Sequence, residues 1–149
     1  MHIPIQVDYG VRALVDLAEH EREGKVRAAE IARRQGIPEP YLERLLHTLR
    51  KHGFTGSQRG PSGGHSLAKK PSEITMAMVL DHLGGTQSLI GCLDDAARCD
   101  QFGACGQRDV WREVESAIHS VLDGTTIADL VERISTRRRG GAGQMVVSA

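Results

Sequence analysis

Two short amphipathic helices joined by a tight turn are the feature that most restricts the fold of this chain. The first is predicted over AAEIARRQ at 28–35 and meets Gly36, a residue suited to the left-handed conformation that ends a helix. The second, IPEPYLERLLHTLRKHG at 37–53, begins with prolines that suit a first helical turn, carries leucines on one face and stops at Gly53. We therefore predict a helix-turn-helix.

Further elements are predicted on both sides of this pair. An amphipathic helix precedes it, with apolar residues at helical spacing at Val7, Val11, Leu14, Val15 and Ala18. After it, two segments of strand length flank the turn RGPSGG at 59–64, which is typical of a hairpin wing. Thr75 can cap a third helix. From Arg108 a long helix carries an apolar stripe longer than a small domain needs for its own core, so we expect it to pack against a partner.

The charge distribution indicates a surface for a polyanion. Lys/Arg and Asp/Glu number nineteen each, yet residues 1–70 carry twelve Lys/Arg against eight Asp/Glu, whereas 71–136 carry four against eleven. No acidic residue occurs from Arg44 to Ser72, a window that covers much of the second helix and the hairpin. A basic helix-turn-helix with a wing predicts binding to double-stranded DNA, and Gly63 and Gly64 would let backbone amides approach phosphates.

These elements predict a mainly α fold, a winged helix-turn-helix DNA-binding domain with a two-stranded wing and a long helix that packs against a partner. We assign the DNA-binding domain to 1–85, a cysteine-containing loop to 86–107, and the long helix with a short C-terminal helix to 108–136. Residues 137–149, RRRGGAGQMVVSA, are predicted to be a disordered tail.

Other functional classes lack their signals in the sequence. The N-terminal segment has neither the charged region nor the unbroken apolar region of a secretion signal, and no apolar run reaches the length of a membrane span. We therefore expect a cytoplasmic protein without membrane contact. The sequence also lacks a phosphate loop, a nucleophile elbow and paired carboxylates on one helical face, so we do not expect an enzyme.

All three cysteines, Cys92, Cys99 and Cys105, fall within one short segment. Their spacing, C-x6-C-x5-C, is neither the CxxC pair of a zinc ribbon nor that of a thioredoxin-like site. Three thiolates in a glycine-containing loop can converge on a larger object, such as an iron–sulfur cluster. On spacing alone, a zinc site with a fourth ligand and cluster-free dithiol sensing stay open as alternatives.

In these motifs the chain resembles the winged-helix regulators of the Rrf-two family, in its IscR-like and NsrR-like, three-cysteine iron–sulfur branch. The resemblance covers residues 3–135 and is carried by YGVRALVDLA, EIARRQGIPEPYLERLLHTLRKHG, RGPSGGHSLAKKPSEIT and the cysteine loop running into RDVW. It implies a homodimer in which two long helices cross. It also implies that two recognition helices dock in successive major grooves of a pseudo-palindromic promoter operator.

The resemblance implies a ligand set for the cysteine segment as well. An iron–sulfur cluster, a 2Fe–2S cluster by preference and a 4Fe–4S cluster as the alternative, would be held by the three cysteines. IscR-like members have a histidine where this chain has Arg108, which cannot ligate. NsrR-like members take an aspartate from the first helix of the other subunit, and Asp8 occupies that place. An ordinary surface pair between Asp8 and Arg12 explains Asp8 equally well.

The expected DNA contacts lie on the second helix of the pair and on the wing. Glu43 and Arg59 match positions used by IscR-like members, and their chemistry suits a cytosine amino group and the minor groove respectively. Tyr41 is also predicted to pack in the core. The full expected set is Glu39, Tyr41, Glu43, Arg44, His47, Arg50, Lys51, Arg59, Gly60, Ser62, Gly63 and Gly64.

Together these inferences predict a DNA-binding transcriptional regulator, in the first instance a repressor. Its operator affinity would depend on a cluster that senses redox state, nitric oxide or iron and cluster status. Two alternatives stay open. One is a cluster-free regulator of cysteine or sulfur metabolism that acts through a partner protein or thiol oxidation, and the other is a cytoplasmic iron–sulfur electron carrier.

Overall fold

Helices and one hairpin make up the fold. The computed structural model describes residues 3–84, 93, 95, 97 and 99–144. Within these residues the helices are α1 (Ile5–Glu19), α2 (Ala28–Gln35), α3 (Glu39–Lys51), α4 (Met76–Leu83), α5 (Arg108–Asp123) and α6 (Ile127–Gln144). The strands are β1 (Thr55–Gln58) and β2 (Gly64–Leu67), and short 3-10 turns occur at Glu21–Glu23, Pro71–Glu73 and Phe102–Ala104. The predicted mainly α class with a two-stranded wing is confirmed.

Helix α1 lies at the centre of the core, because α2, α3, α4 and α6 all pack against it. Its apolar face is enclosed, as the helical spacing predicted. Removing aliphatic side chains from water is the main favourable contribution to such a core. The most deeply buried apolar residues are Leu14, Leu17, Ile31, Leu42, Leu46, Leu49, Phe54, Ile74, Val79 and Ile127.

The helix-turn-helix forms as predicted, with α2 at its predicted bounds and α3 lying within the predicted 37–53 stretch. Gly36 ends α2 with φ 64°, in the left-handed region that glycine adopts without steric penalty. Pro38 immediately precedes α3 and Pro40 lies in its first turn, where the missing proline N–H costs no helical hydrogen bond. The wing then pairs β1 with β2 in antiparallel register, from Thr55 opposite Leu67 to Gln58 opposite Gly64.

Helices α4 and α6 are joined at their starts. The Thr75 hydroxyl caps α4 by accepting a hydrogen bond from the Met78 N–H at 3.2 Å, as the sequence predicted. The Ile127 N–H donates to the Ile74 carbonyl at 2.9 Å, and the Met76 N–H donates to the Thr125 carbonyl at 2.8 Å. The start of α6 is therefore held beside the start of α4.

Helix α5 presents an apolar surface to solvent. Val110 is 57% exposed, Trp111 37% and Val121 68%, and every residue of the helix is at least partly exposed. An exposed apolar stripe on a long helix is typical of an interaction surface.

Helix α6 is longer than the sequence predicted. The proposed disordered tail began at 137, but α6 continues through residues 137–144 and ends at Gln144, so that boundary was wrong for these residues. An ion pair between Arg138 and Glu19 at 2.8 Å joins this extension to α1, although its glycines by themselves disfavour a helix. Residues 145–149 lie outside the described part of the chain.

Across the described ranges, no helix combines the length and apolar character needed to span a membrane.

Candidate DNA-binding surface and cysteine segment

Helix α3 separates its apolar and polar side chains onto two faces. Leu42, Leu45, Leu46 and Leu49 point into the core. The opposite face is exposed and carries most of the DNA-contacting residues predicted on this helix, Glu39, Glu43, Arg44, His47, Arg50 and Lys51. This face therefore presents the hydrogen-bonding and basic groups that a recognition helix requires.

Tyr41 differs from the other predicted contacts on α3. It is partly buried, and its ring meets the ring of Tyr9 edge to face with centroids 5.5 Å apart. This contact between α3 and α1 agrees with the core role predicted for Tyr41. A role of Tyr41 in DNA contact stays a prediction.

The wing is attached to α3 by hydrogen bonding. Arg50 Nη1 donates to Ser57 Oγ at 2.8 Å, which joins the exposed face of α3 to β1. Arg59, Gly60 and Ser62 are exposed at the turn of the wing. The structure therefore places the predicted contacts of α3 and of the wing on two directly connected elements.

Gly63 and Gly64 lie where the wing backbone passes close to other backbone atoms. A Cβ on Gly63 would approach the Gly60 carbonyl oxygen to 2.8 Å, and a Cβ on Gly64 would approach the Val26 carbonyl oxygen to 2.8 Å. Both distances are below van der Waals contact, so larger residues would displace the wing. These glycines thus have a packing role beside the predicted approach to phosphates.

His65 on β2 is close enough to α3 to be affected by the charges of Arg50 and Glu43. Burial and the nearby Arg50 cation lower the pKa of His65, and Glu43 acts in the opposite direction. Its Nδ1 atom is buried and has no hydrogen-bond partner among the described residues. His65 thus belongs electrostatically to the same surface as the predicted base-reading residue Glu43.

Cys99 and Cys105 are free, partly exposed thiols at the two ends of a tight turn. The Phe102 N–H donates to the Cys99 carbonyl at 3.1 Å, and a 3-10 turn then leads to Cys105. Arg108, the first residue of α5, donates from Nη1 to the Phe102 carbonyl at 2.7 Å and lies 4.7 Å from the centroid of that ring. Arg108 thereby connects this turn to α5. Cys92 lies outside the described residues.

Asp8, the fourth predicted ligand, is paired within its own helix. Its carboxylate lies 3.0 Å from the Arg12 guanidinium, and both side chains are about half exposed. Arg12 also donates to the Gln35 carbonyl at the end of α2, at 3.3 Å. Over the described part of the chain, no three His, Cys, Asp or Glu side chains are grouped to hold a metal ion. Assembly of the ligand set thus stays a prediction.

Two charged residues escaped the sequence analysis. Asp16 is buried in α1. Its position among apolar residues of that helix was the signal that could have predicted its burial. Arg27 precedes α2 at a position where Ser, Thr, Asp or Asn is usual, and that departure was the signal for an unusual role.

Comparison with known proteins places this geometry among transcriptional regulators. The family described as "Rrf2: Iron-dependent Transcriptional regulator" matches residues 3–133. The chain is 38% identical over 135 residues to the HTH-type transcriptional regulator IscR of Aliivibrio salmonicida, which covers 87% of this chain and 80% of that protein. It is 35% identical over 135 residues to Protein rrf2 of Nitratidesulfovibrio vulgaris, covering 91% and 90% of the two chains.

Solved structures give two informative neighbours. The structure of IscR from T. potens superposes with a TM-score of 0.70 at 35% identity, covering 90% of this chain and 88% of that one. The structure of CymR, the global cysteine regulator of B. subtilis, superposes with a TM-score of 0.76 at 31% identity, covering 89% and 98%. The similarity to both extends over nearly the whole described chain.

Proposed function

Because this chain belongs to the Rrf2 family and is a DNA-binding transcriptional regulator rather than an enzyme, we propose that an iron–sulfur cluster controls its affinity for a promoter operator. The observation that carries the proposal is the pair of free thiols at Cys99 and Cys105, joined by a short hydrogen-bonded turn and tied to α5. The family description, which names iron dependence, supports it.

The chemistry of the donor set suits such a group. Three cysteine thiolates, from Cys92, Cys99 and Cys105, are soft ligands of the kind that hold iron–sulfur clusters. Asp8 of a second subunit would complete the set with a hard, weakly held carboxylate. The bound cluster would itself be the sensing group, because oxidation, nitric oxide or iron shortage can remove it. We favour the 2Fe–2S form over the 4Fe–4S form.

Arg12 offers a route from Asp8 to the DNA-binding surface. Its guanidinium joins the Asp8 carboxylate to the Gln35 carbonyl, next to the turn between α2 and α3. If Asp8 binds a cluster instead of Arg12, Arg12 loses its ion pair with Asp8 and keeps only its bond to Gln35. The position of α2 can then change. Regulation requires only that the two arrangements bind the operator with different affinity.

We infer that the DNA-binding form is a homodimer. The exposed apolar residues Val110, Trp111 and Val121 on α5 would be covered by α5 of a second copy, and two recognition helices would then reach a pseudo-palindromic operator. Val121→Asp should give a monomer by light scattering without loss of the fold, because Val121 is outside the core. A dimer that survives this change would contradict the α5 interface.

Visible absorption with iron and sulfide analysis of protein purified without oxygen tests the cluster. We expect a coloured protein that loses colour after Cys92→Ser, Cys99→Ser or Cys105→Ser, and changes its spectrum after Asp8→Ala. Asp100→Ala is the matched control, since Asp100 is an exposed carboxylate in the same segment that is not a predicted ligand. Operator affinity before and after cluster removal then tests the regulatory step.

A cluster-free regulator is the second candidate, favoured by the similarity to the CymR structure. It predicts a colourless protein whose operator affinity responds to a partner protein or to thiol oxidation. Family membership favours either regulator over the electron carrier that the sequence left open, because an electron carrier has no need of a DNA-binding surface.

A further inference from the structure

Arg27 stands at the position that precedes the first turn of α2 and does not act as a normal cap there. Ser, Thr, Asp or Asn usually occupies this position because its side-chain oxygen accepts a hydrogen bond from the first helical turn. A guanidinium has no acceptor, and Arg27 makes no such bond. Its backbone N–H instead donates to the Glu30 carboxylate at 3.2 Å. The Arg27 side chain is therefore free for another purpose.

That side chain reaches the turn of the wing. Arg27 Nη2 donates to the carbonyl of Pro61 at 2.9 Å, across 34 residues of sequence. Pro61 lies between Gly60 and Gly63, in a turn whose glycines would sample many conformations if they were unrestrained. The bond thus joins the turn of the wing to the start of the helix-turn-helix.

The start of β2, next to the turn of the wing, is already held by backbone contacts. The Val26 N–H donates to the His65 carbonyl at 2.9 Å, and the His65 N–H donates to the Val26 carbonyl at 2.7 Å. The close approach of Gly64 to Val26 leaves no room for a side chain. Val26 therefore holds the start of β2, next to the turn, and Arg27 holds the turn itself, so two adjacent residues restrain this end of the wing.

Arg27 and Arg59 line one cleft of about 370 Å³ between the start of α2 and the wing. Two like charges near each other favour an anionic partner, which DNA supplies. Arg27 could contact a phosphate directly or could act only through the wing. The hydrogen bond to Pro61 favours the second role, because it commits the guanidinium to the wing before DNA arrives.

We propose that Arg27 is a positioning residue that holds the wing turn against the helix-turn-helix, so that Arg59 and Gly60 meet DNA in register with α3. Ordering the turn in the free protein removes a conformational cost that would otherwise arise on binding. The benefit applies to a sequence that engages both α3 and the wing. It is smaller for non-specific DNA, where phosphate contacts dominate. The inference concerns DNA binding and is independent of whether the cysteines hold a cluster.

The test compares Arg27→Ala, Arg27→Lys and Arg33→Ala. Arg33 is an exposed arginine at the other end of α2 and serves as the charge-matched control. The probes are a duplex selected from a random-sequence pool for tight binding to the native protein, and a mixed-sequence duplex of the same length. Dissociation constants are measured for both over a series of salt concentrations.

We expect Arg27→Ala to weaken binding to the selected duplex about tenfold, with a smaller loss on the mixed duplex and an unchanged salt dependence. Arg27→Lys should recover part of the loss, because an ammonium can still donate to Pro61. Removal of a direct phosphate contact would instead weaken both duplexes equally and lower the slope of log Kd against log salt by about one. That result, or equal behaviour of Arg27→Ala and Arg33→Ala, would overturn the proposal.

Hydrogen exchange of the unbound protein gives a readout that does not depend on DNA. In Arg27→Ala the Gly63 amide, which donates to the Gly60 carbonyl at 2.9 Å, should exchange faster, while amides in α1 keep their native rates. Exchange that accelerates across the whole chain would show a general loss of stability and would contradict a local role.

Discussion

Asp16 and Arg34 form a two-point ion pair that joins α1 to α2, with the carboxylate buried and the guanidinium partly exposed. Arg34 donates from Nη2 to Asp16 Oδ1 at 2.6 Å and from Nε to Oδ2 at 2.9 Å, and Gln35 Nε2 adds a third bond at 3.0 Å. The Asp16 side chain is 1% exposed and that of Arg34 27%. This bonding raises the pKa of Arg34 above its ordinary value. One buried carboxylate thus fixes the first helix of the helix-turn-helix onto the core.

The two partners of this pair should differ in their effect on stability. Arg34→Met leaves a buried carboxylate without its cation, so we expect a loss of about 3–5 kcal/mol in the free energy of unfolding. Asp16→Asn leaves an arginine that can turn towards water, so we expect a smaller loss of about 1–3 kcal/mol. Urea denaturation measures both.

Arg12→Met is the matched control for Arg34→Met. It removes the cation of the exposed pair with Asp8, and such pairs contribute about 0–1 kcal/mol. Equal losses for Arg34→Met and Arg12→Met would show that the buried pair adds nothing special to stability.

Asp129 should make the attachment of α6 sensitive to acid. The Thr126 N–H and hydroxyl each donate to Asp129 Oδ2 at 2.7 Å, and they lower the pKa of Asp129 with a smaller contribution from Arg133. A lowered pKa in the folded state gives stability that is present above the ordinary aspartate value of 3.8 and is lost as the pH falls through the folded value. Thermal unfolding in an acid series measures this loss.

Asp129→Asn removes the titrating group and keeps the shape of the side chain. We expect the variant to be less stable than the native protein near neutral pH and to approach it in stability in strong acid. A constant difference across the series would mean that the carboxylate charge does not contribute.

His65 should give the wing a second pH dependence of the same sign. Burial and Arg50 lower the pKa of His65, so the folded state disfavours the charged ring. This contribution to stability is complete above the ordinary histidine value of 6.5 and is lost as the pH falls through the lowered folded value. In His65→Phe, unfolding measured from neutral to mildly acid pH should show a flatter profile than the native protein. Parallel profiles would exclude the effect.

Arg108 should order the turn between Cys99 and Cys105 even without metal. Arg108→Ala removes both the hydrogen bond to the Phe102 carbonyl and the contact with its ring, so the Phe102 and Ala104 amides should exchange faster with solvent. Hydrogen exchange of metal-free, reduced protein measures this.

Arg112→Ala provides the comparison for Arg108→Ala. Arg112 lies one turn further along α5, with a 60% exposed side chain and a long 3.9 Å approach to Asp109. Native exchange rates are expected in this variant. If both changes accelerate exchange equally, the effect belongs to the start of α5 as a whole and Arg108 has no particular role.

Local patterns in the sequence determined much of the fold. The apolar spacing in α1 and α3, the glycine after α2 and the threonine before α4 each act through residues three or four positions away, or through the φ angle of one residue. Such local interactions have the same geometry in every protein. The bounds of α2 at 28–35 and the cap at Thr75 could therefore be predicted as observed. The exposed polar face of α3 follows from the same periodicity.

The tertiary structure alone decided which distant residues meet. Asp16 and Arg34 lie 18 residues apart, and Arg27 and Pro61 lie 34 apart. Separations of that size in the sequence do not indicate whether two residues meet, because contact between them depends on how the helices pack and how the wing folds back. The extension of α6 to Gln144 was likewise not evident from the local sequence, because its glycines disfavour a helix and its ion pair between Arg138 and Glu19 joins residues 119 apart.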